Sequence, residues 1–321
     1  MLLPRFVARM SCVAITVLGT GMVSGQNYPN KPIRIVTSEA GGGADFVARL
    51  VGEGLSGALG QQVIVVNRPS GVIPPETVSK ARPDGYTLLV YGSTVWLLPL
   101  MRRNVSYDPV RDFAAISLAT SAPSILVVHP SMPINSVKEL IALAKARPGE
   151  LNYSSASAGS AIHIAAELFK IMAGVNIVRV PYKGTAPALN DLIAGFVQLS
   201  FPNAATAMPQ VKSGRLRALA VTSARPSPFA PGLPTVAAAG LPGYESAAPS
   251  GIYAPAKTPA AIINRLNQEI VRVLNRPNTK ERLFNAGVEA VGSSPEEFAA
   301  FIKFDMARMT KLIKDAGIHE E

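Results

Sequence analysis

Three segments of the sequence bring glycine, hydroxyl and charged residues together where a strand pattern gives way to a helix pattern. Glycine lets the backbone approach a ligand closely, and the free N–H groups of a helix N-terminus favour an anion. Such segments therefore predict non-covalent binding of a small anionic or polar molecule. They are residues 40–45 (AGGGAD), 153–160 (YSSASAGS) and 180–187 (VPYKGTAP).

The first segment is not a nucleotide motif. It lacks GxGxxG spacing and does not end in the Gly-Lys-Ser/Thr of a P-loop. The alternative to a ligand loop is a plain tight turn, in which Asp45 only complements the helix dipole. If the loop binds a ligand, the expected contacts are Glu39, Ala40, Gly41, Gly42, Gly43 and Asp45.

Hydroxyl and N–H groups in the other segments can hold a carboxylate without a matched cation. Lys183 either pairs with an anion or faces solvent. His163 lies one turn into a helix, and we favour a structural histidine there over a ligand contact or a base. The expected contacts in and just after these two segments are Ser155, Ser157, Gly159, Ser160, His163, Tyr182 and Lys183. Three more are expected elsewhere: Ser93 and Thr94 at a fourth strand end with hydroxyls, and Asn203 after the strand pattern at 198–201.

The sequence lacks recognisable catalytic or metal-binding spacing. The three histidines are His129, His163 and His319, and no HExxH, GxSxG or SxxK pattern is present. No histidines and carboxylates stand at metal-ligand spacing. We therefore predict no catalytic residues, no metal and no cofactor. Scattered residues can still converge in space, so an exported enzyme stays an alternative.

The N-terminus indicates export. Arg5 and Arg9 precede an uncharged apolar run, residues 10–22, and small residues follow up to Gly25. This pattern predicts a signal peptide at residues 1–25, against the alternative of a buried N-terminal helix. The apolar run is shorter than the roughly 20 residues that a membrane span requires. The only cysteine, Cys12, lies in this segment, so the predicted mature chain has no thiol.

Composition indicates a folded chain without nucleic-acid character. Of the 321 residues, 48% are hydrophobic and 16% are charged, which excludes a disordered chain. The net charge is +10, and removal of Arg5 and Arg9 with the signal peptide leaves +8. The cations are scattered singly, so they indicate a solvated basic surface that would also attract anionic solutes.

Strand and helix patterns alternate along the chain, which predicts an α/β protein with mainly parallel sheets. Helix starts are marked by capping patterns at Ser136, Thr258 and Ser294. The chain is expected to cross between two α/β lobes near residues 125–128 and again near residues 251–254. The predicted lobe 1 comprises residues 26–124 and 253–321, and lobe 2 comprises residues 125–252. A cleft between such lobes is where small ligands bind.

Short motifs in order over nearly the whole predicted mature chain resemble those of one family. That family is the tripartite tricarboxylate transporter substrate-binding proteins, also called Bug receptors. The motifs are 28–36 (YPNKPIRIV), 41–45 (GGGAD), 65–69 (VVNRP), 83–89 (PDGYTLL), 107–113 (YDPVRDF), 180–184 (VPYKG), 216–222 (LRALAVT), 233–236 (LPTV), 240–245 (GLPGYE) and 254–259 (APAKTP).

The resemblance implies a type II periplasmic binding protein fold, with two α/β lobes joined by a two-crossing hinge. It implies a periplasmic, monomeric protein that captures carboxylates, amino acids or aromatic acids through backbone groups, hydroxyls and bridging waters, and that performs no chemistry on them. It also implies delivery of the ligand to a two-part membrane permease. Presentation of the ligand to a membrane sensor kinase is the alternative.

The sequence departs from the family pattern around the expected site. Ser38-Glu39-Ala40 stands where the family carries an aromatic residue followed by small residues. The stretch 70–75 is altered, Pro202-Asn203 replaces an Asp-Asn pair, and Pro249-Ser250 replaces an aromatic residue. Glu39 either selects a ligand with an amino or amide group or points out of the pocket.

Overall fold

The structure is a computed structural model, and it describes residues 28–69, 71–156 and 159–315. The predicted signal peptide, Ser157 and His319 lie outside these residues. Within the described part, no helix is long and apolar enough to cross a membrane.

The strands form two sheets. The first sheet has the order β11-β4-β10-β3-β1-β2, and the second has the order β7-β6-β8-β5-β9. The strands are β1 (Ile33–Thr37), β2 (Val63–Asn67), β3 (Thr87–Gly92), β4 (Phe113–Pro123), β5 (Ile125–Val128), β6 (Asn152–Ser155), β7 (Val178–Pro181), β8 (Leu199–Ser200), β9 (Arg217–Val221), β10 (Ala247–Pro255) and β11 (Glu289–Ala290).

Both sheets are mixed rather than mainly parallel, so that expectation was wrong. Strand β1 pairs in parallel with β2 and β3, and β6 pairs in parallel with β7 and β8. In contrast, β10 is antiparallel to β3 and β4, and β5 is antiparallel to β8 and β9. In each sheet one strand beside a crossing runs opposite to its neighbours on both sides, β10 in the first sheet and β5 in the second.

Helices follow most of the strands, as the alternating pattern predicted. They are α1 (Gly43–Leu59), α2 (Ile73–Ser79), α3 (Thr94–Met101), α4 (Val137–Ala146), α5 (Ala161–Ala173), α6 (Thr185–Ile193), α7 (Ala204–Lys212), α8 (Ala260–Leu274), α9 (Pro277–Asn285) and α10 (Pro295–Asp315).

Helix starts show which capping predictions were right. The Ser136 and Ser294 hydroxyls accept hydrogen bonds from the backbone N–H three residues on, at 3.2 and 3.1 Å. The third prediction was wrong, because Pro259 is the N-cap of α8 and the Thr258 hydroxyl instead donates to the Pro255 carbonyl at 2.7 Å. A serine or threonine before a proline therefore does not by itself mark a capping side chain.

Alternate residues of the central strands enter different hydrophobic cores, so each sheet is covered by helices on both faces. In β3, Leu88 and Val90 pack with α1 and α8, whereas Leu89 packs with α3 and α10. In β5, Leu126 packs with α4 and α5, whereas Val127 packs with α6 and α7. Burying each such side chain contributes roughly 1.5–3 kcal/mol, so these cores hold the strand ends in fixed positions.

The chain passes between the sheets twice. Only Ser124 separates β4 of the first sheet from β5 of the second. The return path leaves β9 at Val221 and enters β10 at Ala247. Residues 247–252 thus pair with the first sheet, whereas the sequence placed them in lobe 2, because only the apolar end of β10 shows a strand pattern.

Thr222 ties the two crossings together. Its hydroxyl accepts a hydrogen bond from the Ser124 N–H at 2.9 Å and lies 3.0 Å from the Ser124 carbonyl oxygen. Its backbone N–H donates to the same carbonyl, and its own carbonyl accepts from the Ser246 N–H. All three residues are buried. Since a buried N–H without a partner is costly, the Thr222 hydroxyl stabilises the junction of the two sheets.

We expect Thr222→Val to lower the free energy of unfolding by about 1–3 kcal/mol, because it leaves the buried Ser124 N–H without an acceptor. Thr222→Ser retains the hydroxyl and is the matched control. Urea unfolding of both variants and the parent chain measures the effect. Equal stability of the valine variant and the parent would contradict this account of the junction.

Candidate functional site

Residues from both sheets and their loops line a cleft of about 230 Å³. Its walls come from loops at strand ends and from the crossing strands β4 and β10. Eight of the residues predicted as ligand contacts line it: Glu39, Gly42, Gly43, Ser93, Thr94, Ser160, Lys183 and Asn203.

Among the described residues, the N-cap residues of five helices lie in the cleft wall. They are Gly42 of α1, Ser93 of α3, Ser160 of α5, Gly184 of α6 and Asn203 of α7. Each helix N-terminus carries about half a positive charge on its unpaired N–H groups. The arrangement therefore places several partial positive charges around one small volume, which favours an anion.

Three of these helix starts lack a capping side chain. Gly42, Ser93 and Gly184 make no side-chain capping hydrogen bond within the described chain. By contrast, the Ser160 and Asn203 side chains accept from the N–H three residues on, at 3.4 and 2.8 Å. Because uncapped N–H groups need a partner, the cleft presents donors that a ligand carboxylate can satisfy.

Asp45 does not line the cleft. Its side chain instead holds the backbone of the glycine loop, residues 40–45, in place. It is buried, and its carboxylate accepts from the Gly41 N–H at 2.9 Å, the Arg49 guanidinium at 3.0 Å and the Asn67 amide at 2.8 Å. Burial alone would raise the pKa of Asp45, but these hydrogen bonds outweigh it and lower the pKa. Gly41 has a φ of 83°, a conformation that favours glycine, so the loop shape depends on this residue type.

His163 does not line the cleft. It is buried behind the cleft wall, and its Nδ1 accepts from the Gly159 N–H at 3.2 Å. Burial, together with the positive charges of Arg179 and Lys170, lowers the pKa of His163 to about 3. The imidazole is therefore neutral and holds the turn that precedes α5.

The other predicted contacts also lie outside the cleft lining. The Ser155 hydroxyl accepts from the Arg179 guanidinium at 2.8 Å, and the Tyr182 hydroxyl donates to Asp191 at 2.7 Å. Ala40 and Gly159 shape their turns without lining the cleft, and Ser157 is outside the described residues. The Ser155 and Tyr182 side chains are thus bound within the protein, and the sequence alone cannot distinguish that task from ligand contact.

Several lining residues were missed by the sequence reasoning. On the crossing strands, Thr120, Ala122, Ala248 and Ser250 face the cleft. Their every-second spacing is the signal that would have found them once β4 and β10 were recognised as strands. Further hydroxyl-bearing lining residues are Ser38, Tyr91 and Thr185, of which Thr185 lies within the predicted segment 180–187.

A second cavity of about 190 Å³ lies on the opposite face of the crossing strands. Ser121 and Ala247, which alternate with the cleft residues of β4 and β10, line it together with α10. Its buried carboxylate, Asp305, already accepts from the Trp96 indole at 2.8 Å and from the Arg308 guanidinium at 2.9 Å. This carboxylate is satisfied, and among the described residues two helix starts reach the cavity, at Ser93 of α3 and Ala161 of α5, against five at the cleft, so the cleft is the better candidate site for an anion.

The described residues contain no group of three His, Cys, Asp or Glu side chains that could hold a metal ion. The cleft thus offers hydroxyls, backbone N–H groups and two charged residues, Glu39 and Lys183. Such donors and acceptors can orient a polar molecule.

Two α/β sheets joined by two crossings, with helix N-termini facing a shared cleft, define the class of two-lobed solute-binding proteins. The family model described as "Tripartite tricarboxylate transporter family receptor" matches residues 47–318. The chain belongs to this family, as its motifs predicted, and its fold is the predicted type II periplasmic binding protein fold.

The similarity to individual relatives and solved structures extends over nearly the full length of this chain. BugT of Bordetella pertussis is 35% identical over 92% of this chain and 92% of its own. Rpa4515 of R. palustris, solved with adipate, is 37% identical with a TM-score of 0.84 over 91% of this chain and 99% of that one. MatC of Rhodopseudomonas palustris, solved with bound malate, is 27% identical with a TM-score of 0.81, over 89% of this chain and all of that one.

We expect His163 to make stability sensitive to acid. Because its pKa is 6.5 when unfolded and about 3 when folded, the unfolded chain binds more protons between these values. The free energy of unfolding should therefore fall as pH drops below 6.5, by up to about 1.4 kcal/mol per pH unit from this group.

His163→Asn, whose side-chain oxygen can still accept from the Gly159 N–H, should lose this dependence. Urea unfolding of both chains between about pH 6 and pH 5 measures it, above the range in which most carboxylates titrate. Parallel slopes for the two chains would contradict a buried neutral histidine.

Proposed function

We propose that this protein captures a small carboxylate-bearing molecule in the cleft and delivers it to a membrane transporter of the tripartite tricarboxylate type. The observation that carries the proposal is the convergence of five helix N-termini on the cleft among the described residues. Unpaired N–H groups and the helix dipoles stabilise an anion there. The bound adipate and malate in the two R. palustris proteins support a carboxylate ligand.

Both halves of the molecule contribute to this ligand site. The α1 and α3 starts belong to the first sheet unit, and the α5, α6 and α7 starts belong to the second. A ligand that contacts both sets stabilises an arrangement in which the halves are close together. We propose that the lobes divide at the two crossings, near residues 124 and 246, and close around the ligand by hinge motion.

The proposal places the protein in the periplasm after removal of residues 1–25. The basic and apolar N-terminal pattern and the family membership support that location. We propose a monomer whose partners are the small ligand and a permease, with no nucleic acid and no catalysis. The scattered cations support the absence of a nucleic-acid partner, and the family membership supports a binding role.

Thermal shift of residues 26–321 with carboxylates, amino acids, aromatic acids and their amides tests the proposal. A ligand present at about 100 times its dissociation constant should stabilise the folded chain by about 2.7 kcal/mol. Stabilisation by carboxylate-bearing compounds is the expected result. Stabilisation only by compounds without a carboxylate, or by none of the panel, would contradict the proposal.

Gly42→Val should abolish ligand binding without unfolding the chain. A Cβ at Gly42 would stand 3.5 Å from the Glu39 carbonyl oxygen and 3.6 Å from the Ser38 hydroxyl, which are ordinary contacts. The rest of the side chain would occupy the cleft beside the α1 N-terminus, where the carboxylate is proposed to lie.

Gly57→Val is the matched control, because Gly57 lies on the exposed side of α1 with no atom within 4 Å of an added Cβ. Calorimetric titration of both variants with the best ligand of the screen measures the effect. Unchanged affinity in Gly42→Val would place the ligand elsewhere.

A further inference from the structure

The cleft is lined by two charged residues of opposite sign among the described residues. Glu39 comes from the loop between β1 and α1, and Lys183 comes from the loop between β7 and α6. The two loops belong to different sheets, so the charges stand on different walls of the cleft. Every other described lining residue is uncharged, and many carry hydroxyl groups.

We propose that the ligand carries an N–H-donating group, an ammonium or a primary amide, in addition to its carboxylate, and that Glu39 selects for it. This inference rests on the proposed function, because it assumes that the cleft binds a carboxylate. It adds the substrate class, which is an amino acid or an amide-bearing acid rather than a plain dicarboxylate.

The backbone on both sides of Glu39 is fixed. The Ser38 carbonyl accepts from the Asn67 side chain at 2.7 Å, and the Glu39 carbonyl faces the Gly42 N–H at 3.4 Å. Asn67 is held in turn by the buried carboxylate of Asp45. The backbone at Glu39 therefore has a defined position in the cleft wall.

The charge of Glu39 discriminates among acids. The helix N-termini and Lys183 stabilise one carboxylate, whereas a second carboxylate near Glu39 meets a like charge. An ammonium or amide group in the same place instead gains a charge-assisted hydrogen bond. Selection thus has both an attractive and a repulsive element, which is how specific sites separate similar ligands.

If Glu39 had another role, an ion pair with Lys183, the outcome of the same substitution would differ. If Glu39 only paired with Lys183 across the closed cleft, removing its charge would weaken all ligands by the same factor. If Glu39 selects the ligand, the same change alters the ratio between ligands. The ratio of dissociation constants is therefore the quantity to measure.

The experiment titrates residues 26–321 calorimetrically with acids that differ only in a nitrogen group. The probes are succinate against aspartate and its own monoamide succinamate, glutarate against glutamate and its own monoamide glutaramate, and 3-phenylpropionate against phenylalanine. The variants are Glu39→Gln and, as the matched control, Glu53→Gln, an exposed glutamate on α1 that pairs with Arg282.

We expect the parent chain to bind the nitrogen-bearing member of at least one set about tenfold more tightly than its plain acid. Glu39→Gln should remove most of that preference, and Glu53→Gln should leave it unchanged. Aspartate or glutamate binding without the amides would identify an ammonium group, and the reverse would identify an amide.

Two results overturn the inference while leaving the proposed function standing. One is tighter binding of the plain acids by the parent chain, and the other is an equal loss for every probe in Glu39→Gln. Binding of none of the probes, combined with no stabilisation by any carboxylate in the wider screen, would overturn both the proposed function and the inference.

Discussion

The unpaired N–H groups at helix starts are the interaction on which the candidate site depends. A helix leaves its first N–H groups without partners inside the helix, and these groups must find another acceptor. In this protein the starts of α1, α3 and α6 lack side-chain caps and line one cleft. The two sheets bring these starts together, because their strands end where the helices begin.

The same requirement explains why the loops beneath the cleft are so heavily hydrogen bonded. Asp45 and Asn67 fix the glycine loop, and His163 fixes the turn before α5. None of these three residues lines the cleft. Free donors can be kept in place for a ligand only when the surrounding backbone is satisfied and rigid, so the buried polar residues determine the geometry that the lining residues present.

Much of the fold was predictable from local patterns. Alternating apolar runs located β1, β2 and β3, and apolar spacing located the buried face of α8. Two helices that reach the cleft, α3 and α7, were not predicted because each contains an internal proline, Pro99 and Pro209. Strand β4 was not predicted, and β10 was predicted only at its apolar end, because much of their length carries alanine, serine and threonine instead of an apolar pattern.

The sequence predicted only part of the candidate site, because residue type shows which groups are polar but not which way they face. Residue type identified polar groups near helix starts, and eight of the expected residues line the cleft. It could not tell a lining group from a supporting one. Asp45 and Gly41 belong to the same motif as Gly42, yet the carboxylate turns away to Asn67, a partner 22 residues distant in sequence. Contacts with residues distant in sequence therefore decide whether a side chain faces the cleft or the protein interior.

Nuclear magnetic resonance of backbone amides tests the central claim most directly. Residues 26–321, labelled with ¹⁵N and ²H, would be titrated in parallel with adipate and with glutamine. The account predicts that the largest shifts fall on the first-turn amides of α1, α3 and α6, and on those of α5 and α7. Saturable shifts concentrated instead around α10 and the second cavity, with the helix starts unchanged, would contradict it.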